Sequence, residues 1–417
     1  MKRHNKLMIA ASLSAAAAHS LAAKAPLADM ESFHQSLLTI DTHVDIPSNY
    51  ATLLVDPAKK QLHQVDLVKM QQGGLDAAFF IVFVAQQPRN NWNYEQTKAK
   101  ARHLFKAIHR MVDNNSDKIA LARTAKDVRD IHKAGKKVAL IGIENGYAIG
   151  KDLSLLEDYF KLGARYMTLT HYGHNDLGDS SNPSRQLQDQ ANEHGGLSNL
   201  GKAAISEMNR LGMMVDVSHT AKSTMMQAVA LSRAPVIASH SGVKSVNPHA
   251  RNLDDEQLRA IRRNGGVAQI VAVDEFLLNQ PDEMWTTIGK IRREVGMEGY
   301  KDIPFLPAEL YLQYHQRIEQ EVRSKWPAVN IQDYVDHIDH AVKIAGIEHI
   351  GIASDFGGGG GVKGWNAADE SQNVTTELLR RGYSKRDIAK LWGENTLRVM
   401  EEAEKVAAQT QHLLLTR

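Results

Sequence analysis

Short apolar runs recur along the chain, each separated from the next by polar, helix-periodic stretches. They cover residues 37–45, 76–84, 137–144, 164–171, 213–219, 235–240, 267–273 and 349–355. Each run is nearly continuous in Val, Ile, Leu, Ala, Met and Phe rather than alternating. That is the pattern of a parallel strand covered on both faces. Between the runs, apolar positions at helical spacing predict helices over 153–162, 197–211, 221–232, 254–263 and 331–345, the second closed by Gly212. The stretch 94–134 predicts two helices. An insertion over 274–330 follows the seventh run, with helical patterning around 310–322, and helices around Glu377, Ile388 and Met400 end the chain. Eight strand–helix units predict an α/β fold of the (β/α)8 barrel type with insertions. A doubly wound open sheet is the rival, weakened because no glycine-rich phosphate loop follows the first strand. No Pro- or Ser-rich linker divides the chain, so one domain is expected over 26–417.

The polar residues at the strand ends change the picture. His43 and Asp45 close the first run, Glu144 the third, His171 the fourth, His219 the fifth, His240 the sixth and Asp355 the eighth. His43 and Asp45 are two apart, so on a strand they point the same way. One such strand end is most simply a polar cap. Seven ionisable residues at strand ends meet in one place only in a barrel, on the face that carries active sites. Imidazoles and carboxylates in that combination suit two metals with Glu144 bridging, equipment for hydrolysing an amide or ester. His337 and His340 lie before a strand, at the opposite face, and read as surface or supporting residues. His194 and His249 sit in loops and stay open. Gly357 to Gly361 reads as a flexible, close-approach loop rather than a phosphate cradle.

Composition narrows the setting. The chain has no cysteine, so any metal must be held by His, Asp and Glu. Lys2, Arg3 and Lys6 precede an apolar stretch from Leu7 to Ala18, and Ala23-Lys24-Ala25 follows. This is the pattern of a secretory signal peptide over 1–25, cleaved near Ala25. Its removal takes away four cationic residues and no acidic one, carrying the net charge from +2 to −2. A near-neutral chain offers no electrostatic case for nucleic acid. No membrane anchor is expected, and the expected location is the bacterial periplasm or exterior.

Several segments together resemble the membrane (renal) dipeptidase family of the metal-dependent amidohydrolase barrels. They are Ile40–Pro47 (IDTHVDIP), Gly142–Gly146 (GIENG), Tyr166–His171 (YMTLTH), Glu207–His219, Val236–Ser241, Asn247–Asn252 and Gly351–Phe356. The resemblance spans nearly the whole mature chain. It implies His43, Asp45, Glu144, His219 and His240 as ligands of two zinc ions bridged by Glu144, and His171, Arg251 and Asp355 around a dipeptide substrate. It implies attack by a hydroxide shared between the metals, with His171 steadying the oxyanion, Asp355 shuttling the proton and Arg251 holding the substrate carboxylate. Tolerance of D-residues at the C-terminal position is expected, and a homodimer is allowed. Two departures touch substrate preference: Gly357, where Asp is usual in the family, and Asn145, where Gly is common. Two rivals stand beside this expectation. One is hydrolysis of β-lactams, lactones or N-acyl amino acids by the same centre; the other is a non-catalytic periplasmic peptide- or metal-binding protein.

Overall fold

The computed structural model describes residues 27–297 and 306–415, so the expected signal peptide lies outside the described residues. The strands are β1 (Ile40–Asp45), β2 (Ala77–Phe83), β3 (Ile119–Leu121), β4 (Lys137–Glu144), β5 (Ala164–Thr168), β6 (Met214–Asp216), β7 (Ile237–Ser241), β8 (Val267–Val271) and β9 (Ile350–Ala353). Eight of them follow one another in the order β1-β2-β4-β5-β6-β7-β8-β9, every pairing parallel. The ring closes at the strand ends: Val44 bridges to Phe356, Asp45 N donates to Phe356 O at 2.8 Å, and Asp355 N donates to His43 O at 3.1 Å. The protein is a (β/α)8 barrel with insertions. β3 lies off the ring, on β4. The stretch 94–134 therefore holds helices Asn91–Asn114 and Ala125–Lys133 with a three-residue strand between them. That strand is too short for its apolar pattern to stand out.

The continuous apolar strands face two cores. Along β2, Ala77, Phe79 and Ile81 enter a cluster inside the barrel, with Leu140, Tyr166, Met214 and Ile237. Ala78, Phe80 and Val82 enter the larger cluster under the helices. Leu397 and Met400 of the last helix, Asn395–Leu415, also join the inner cluster.

Two irregularities matter more than the regular pairing. In β1, Asp41 pairs with Ala78 but Val44 with Phe80, so β1 carries one residue more than its partner. In β7, Ala238 pairs with Ala268 but Ser241 with Ile270, again one extra. An extra residue re-aims the side chains beyond it. Ile40 lies in the inner cluster and Val44 in the outer one, an even step that ends on the opposite face. The shift turns His43 and Asp45 into the mouth of the barrel. The second shift does the same for His240.

The insertion after β8 has a small core of its own, built from Met284, Ile288, Ile291, Tyr314, Ile318 and Val322. These come from helix Asp282–Glu294, helix Ala308–Arg317 and the turn that follows it. An Arg323–Asp274 ion pair at 3.1 Å ties the insertion to its root. His337 takes the supporting half of the sequence reading, not the surface half. It is fully buried, not at the surface, because Val243 N donates to its Nδ1 at 2.9 Å and its Nε2 meets Leu277 O at 2.9 Å. His340 is half-buried and pairs with Asp255 at 2.8 Å.

Candidate metal centre

Glu144 ends β4 at the centre of the mouth. Its Oε1 lies 3.2 Å from His219 Nε2, 3.4 Å from His171 Nε2, 3.5 Å from His240 Nε2 and 3.7 Å from His43 Nε2. Four imidazoles from four strand ends thus point the same nitrogen at one carboxylate oxygen. Asp45 Oδ2 and Asp355 Oδ1 each lie 3.8 Å from His43 Nε2. Three overlapping triads have their donor atoms within 4.8 Å of one another: His43–Glu144–His240, Glu144–His171–His219, and His43–Asp45–Asp355. All seven strand-end residues read from the sequence therefore meet. Distance alone does not separate expected ligands from expected substrate residues, since His171 and Asp355 stand as close as the rest.

The surroundings decide which nitrogen of each ring faces inward with its lone pair. Tyr166 Oη donates to Thr42 O at 2.9 Å, so in its 3.0 Å contact with His43 Nδ1 the imidazole is the donor. Ser239 Oγ donates to Asp216 Oδ2 at 2.6 Å, so His240 Nδ1, 2.8 Å away, is again the donor. Both rings are thus held as the tautomer that bares Nε2 to the centre, the arrangement a metal-binding histidine needs. Tyr166 reaches its place because residue 142 is glycine: a Cβ there would come within 2.2 Å of the Tyr166 ring.

Two of these residues sit in the left-handed backbone region, His219 at φ 63° and Asp355 at φ 61°. Such strain outside glycine is held by the surrounding structure and gathers at functional sites. The turn after Asp355 is pinned, which corrects the expectation of a flexible loop. Gly358 N and Gly360 N donate to Asp355 O at 3.0 and 2.9 Å, and Gln64 bonds both Gly357 N and Gly360 O. It does make the expected close approach. A Cβ on Gly358 would fall 2.2 Å from Asp355 Oδ1 and 2.3 Å from Asp45 Oδ2. Asn145 also fits its departure from the expected glycine. It holds φ 81°, which Asn tolerates, and its side chain accepts from Tyr147 N and Asn175 Nδ2.

The residues fit a cation. His43 Nε2 is buried without a hydrogen-bond partner, and His219 and His240 face each other Nε2 to Nε2 at 2.9 Å. His240 Nε2 bares its lone pair there, so either a proton on His219 or a cation must lie between the two rings. Burial alone would depress the imidazolium of His43, but Glu144, Asp355 and Asp45 outweigh it and raise the pKa to about 9. Burial likewise opposes ionisation of Glu144, yet His171 and His43 hold its carboxyl well below its usual range. His219 and His240 are held well below the usual imidazole range, by burial first and then by the cations around them. The set is all nitrogen and oxygen, which suits zinc and other divalent ions of intermediate hardness.

Arg251 comes in from the loop after β7. Its guanidinium is buried, donates through Nη2 to His240 O at 2.9 Å and lies 5.3 Å from the Phe276 ring centre, with Nε unpartnered. His249 stacks on Phe276 at 4.8 Å, and His194 Nε2 meets Asn175 O at 2.9 Å; neither joins the centre.

The sequence reading missed the residues behind the centre. Asp216 accepts from Ser218 N and Ser239 N at 3.0 and 2.9 Å and from Ser239 Oγ, tying β6 to β7. Asp41 accepts from Ser354 N at 3.0 Å and His43 N at 3.2 Å, tying β1 to β9, and burial pushes its carboxyl up to about 6. The signal was there: a lone carboxylate inside an apolar strand must have partners.

Residues 27–413 match a family model described as membrane dipeptidase, peptidase family M19. The chain is 31% identical to dipeptidase verJ of Clonostachys rogersoniana over 361 residues, covering 85% of this chain and 79% of that one. It is 32% identical to dipeptidase aclJ of Aspergillus oryzae, over 82% of this chain and 71% of the other. Among solved structures it resembles PvdM of Pseudomonas aeruginosa, described as a probable dipeptidase, with a TM-score of 0.80 and 32% identity over 91% of this chain and 98% of that one.

Proposed function

Because the chain belongs to the membrane dipeptidase family, peptidase family M19, and is a metal-dependent dipeptidase by that membership, we propose that it cleaves dipeptides with two zinc ions at the Glu144 centre. The observation that carries this reading is the convergence of four Nε2 atoms on Glu144 Oε1 within 3.2–3.7 Å. His43 and Asp45 would hold one ion, His219 and His240 the other, and Glu144 both. When bound, such a pair supplies acidity to a water and pull on a carbonyl oxygen.

The chain's own residues do the rest. Asp355 takes the proton that the attacking water gives up and hands it to the nitrogen of the departing residue. His171 donates from its ring to the oxygen that gains charge as the carbonyl is attacked. Arg251 receives the substrate's C-terminal carboxylate in its planar fork. The polar pocket beside it is lined by Ser181, Thr220, Ser241 and Lys244, and in this reading it takes the C-terminal residue, with D-residues tolerated there.

The basic start and small-residue site at the N-terminus support export to the periplasm or exterior. No helix among the described residues is long and apolar enough to cross a membrane. The dipeptide is the only partner this reading requires, with no nucleic acid or membrane anchor; a homodimer is compatible with it.

The test is a dipeptide panel with both stereoisomers at each end, on zinc-loaded protein. Cleavage of L,L- and L,D-dipeptides and poor cleavage of C-terminal amides are expected. Turnover of β-lactams, lactones or N-acyl amino acids in preference to every dipeptide would favour the amidohydrolase rival. No turnover of any of these, with zinc bound, would leave a binding protein.

A further inference from the structure

Two pockets flank the centre, and they differ in kind. One lies beside His219, Ser241 and Arg251, at the ends of β6 and β7, and is lined by hydroxyls, three cations and the Asp254 carboxylate. The other lies beside Asp45 and Gly357 and runs outward between β1, β2 and helix Asn91–Asn114. Ser48, His63, Gln64 and Lys100 line part of it, and its apolar wall is Val44, Tyr50, Val65, Phe80, Leu104 and Phe356. Each residue of that apolar wall is at least nine-tenths buried, and all belong to the main core. Protein interiors are close-packed, and an apolar void costs stability in proportion to its volume. A cleft opened in the main core beside the reactive centre is therefore best explained by an occupant.

The ring order places the two pockets relative to each other. Three strands separate β1 from β6 in either direction, so the apolar pocket and the cationic one stand on opposite sides of Glu144. A dipeptide is short, about 7 Å along its backbone. If its carboxylate lies at Arg251 and its peptide carbonyl at Glu144, its N-terminal residue comes out at Asp45 and Gly357, at the opening of the apolar pocket. On the rim, Lys100 Nζ lies 5.5 Å from the ring centre of Phe83, which in turn packs edge-on against His171 at 4.9 Å. The same ring thus borders both the pocket and the centre.

We propose that this pocket receives the side chain of the substrate's N-terminal residue and selects dipeptides in which that residue is large and apolar, aliphatic or aromatic. The proposal rests on the dipeptidase reading and adds to it a side chain and an end. Selection arises because burial of apolar surface here is gained with the scissile bond already in place, so it acts on kcat/KM. One methylene in an apolar pocket commands roughly 10–200-fold in specificity. Leu and Phe should stand above Gly by at least that much.

The test compares Gly-Gly, Ala-Gly, Leu-Gly and Phe-Gly on the zinc-loaded full chain, in the wild type and two pocket-filling variants. Ser48→Trp adds bulk at the exposed mouth, where Ser48 contributes only its backbone oxygen to His103 at 2.6 Å. Leu104→Trp adds it from the helix wall. Zinc content and melting temperature report on the fold of each. The expected result is a kcat/KM series rising from Gly-Gly to Leu-Gly and Phe-Gly in the wild type. At least one filled variant should lower the Leu-Gly to Gly-Gly ratio to about 3 or less, well under the span an apolar pocket provides. A flat series in the wild type overturns the proposal, and so does a wild-type ratio kept by both variants. If no dipeptide is cleaved at all, it is the dipeptidase reading that fails.

Discussion

Two groups of buried histidines occupy this protein under the same exclusion of water, and they are partnered in opposite ways. His34, His174 and His337 lie in the body. Each has both ring nitrogens engaged: His34 with Thr375 Oγ1 at 2.7 Å and Gly73 O at 2.9 Å, His174 with Ser180 N at 3.0 Å and Gln190 O at 2.8 Å, and His337 with Val243 N and Leu277 O. His43, His219 and His240 lie at the mouth, where one nitrogen of each is directed at Glu144 and at one another. Burial lowers His337 to about 4, while at His43 three carboxylates overcome the same burial and raise it to about 9. A buried imidazole is therefore no sign of function in itself. The sign is several imidazole nitrogens turned on one carboxylate and on one another, an arrangement that a cation would complete.

The widest separation between the two groups should come from Asp355, the third carboxylate at His43. If it moves a proton, Asp355→Asn lowers kcat by roughly 10²–10⁴-fold while the zinc content stays unchanged. Loss of zinc in that variant would make Asp355 a ligand, a role its place in the His43–Asp45–Asp355 triad also permits. Elemental analysis beside steady-state kinetics separates the two.

A smaller effect should come from the body. The unfolded imidazole titrates near 6.5, and the folded His337 resists protonation until about 4. Its contribution is thus full above pH 6.5 and falls as the pH drops toward 4, by about 3 kcal/mol in total. His337→Gln keeps a donor and an acceptor but does not titrate. Denaturant unfolding of chelated protein at pH 7 and pH 4.5 should show a shallower loss in the variant. Equal slopes in the two proteins would mean that His337 is not held neutral.

How far the sequence carries depends on which forces are local. The strand runs and their ionisable ends were legible because a parallel barrel strand buries both faces and its end must partner a charge. The resemblance in IDTHVDIP and the other segments pointed to the same seven positions and to Arg251 besides. The two bulges that aim His43 and His240 were not legible, since register depends on the partner strand. Nor was the tautomer control through Tyr166 and Ser239, which joins strands far apart in the chain. His337 was left between surface and support because helical spacing shows a face of the helix but not what that face meets. Within the insertion the patterning around 310–322 was seen, but helix Asp282–Glu294 was not, because its apolar positions serve a small separate core.

The claim on which all of this depends is that Glu144 sits between two metal ions. The direct measurement is zinc per chain by elemental analysis of dialysed, dipeptide-cleaving protein, compared with Glu144→Gln. Two zinc ions per chain in the wild type are predicted, with the variant falling below two and losing turnover. Full turnover in protein carrying no metal, or two zinc ions kept with full activity in Glu144→Gln, would contradict the account.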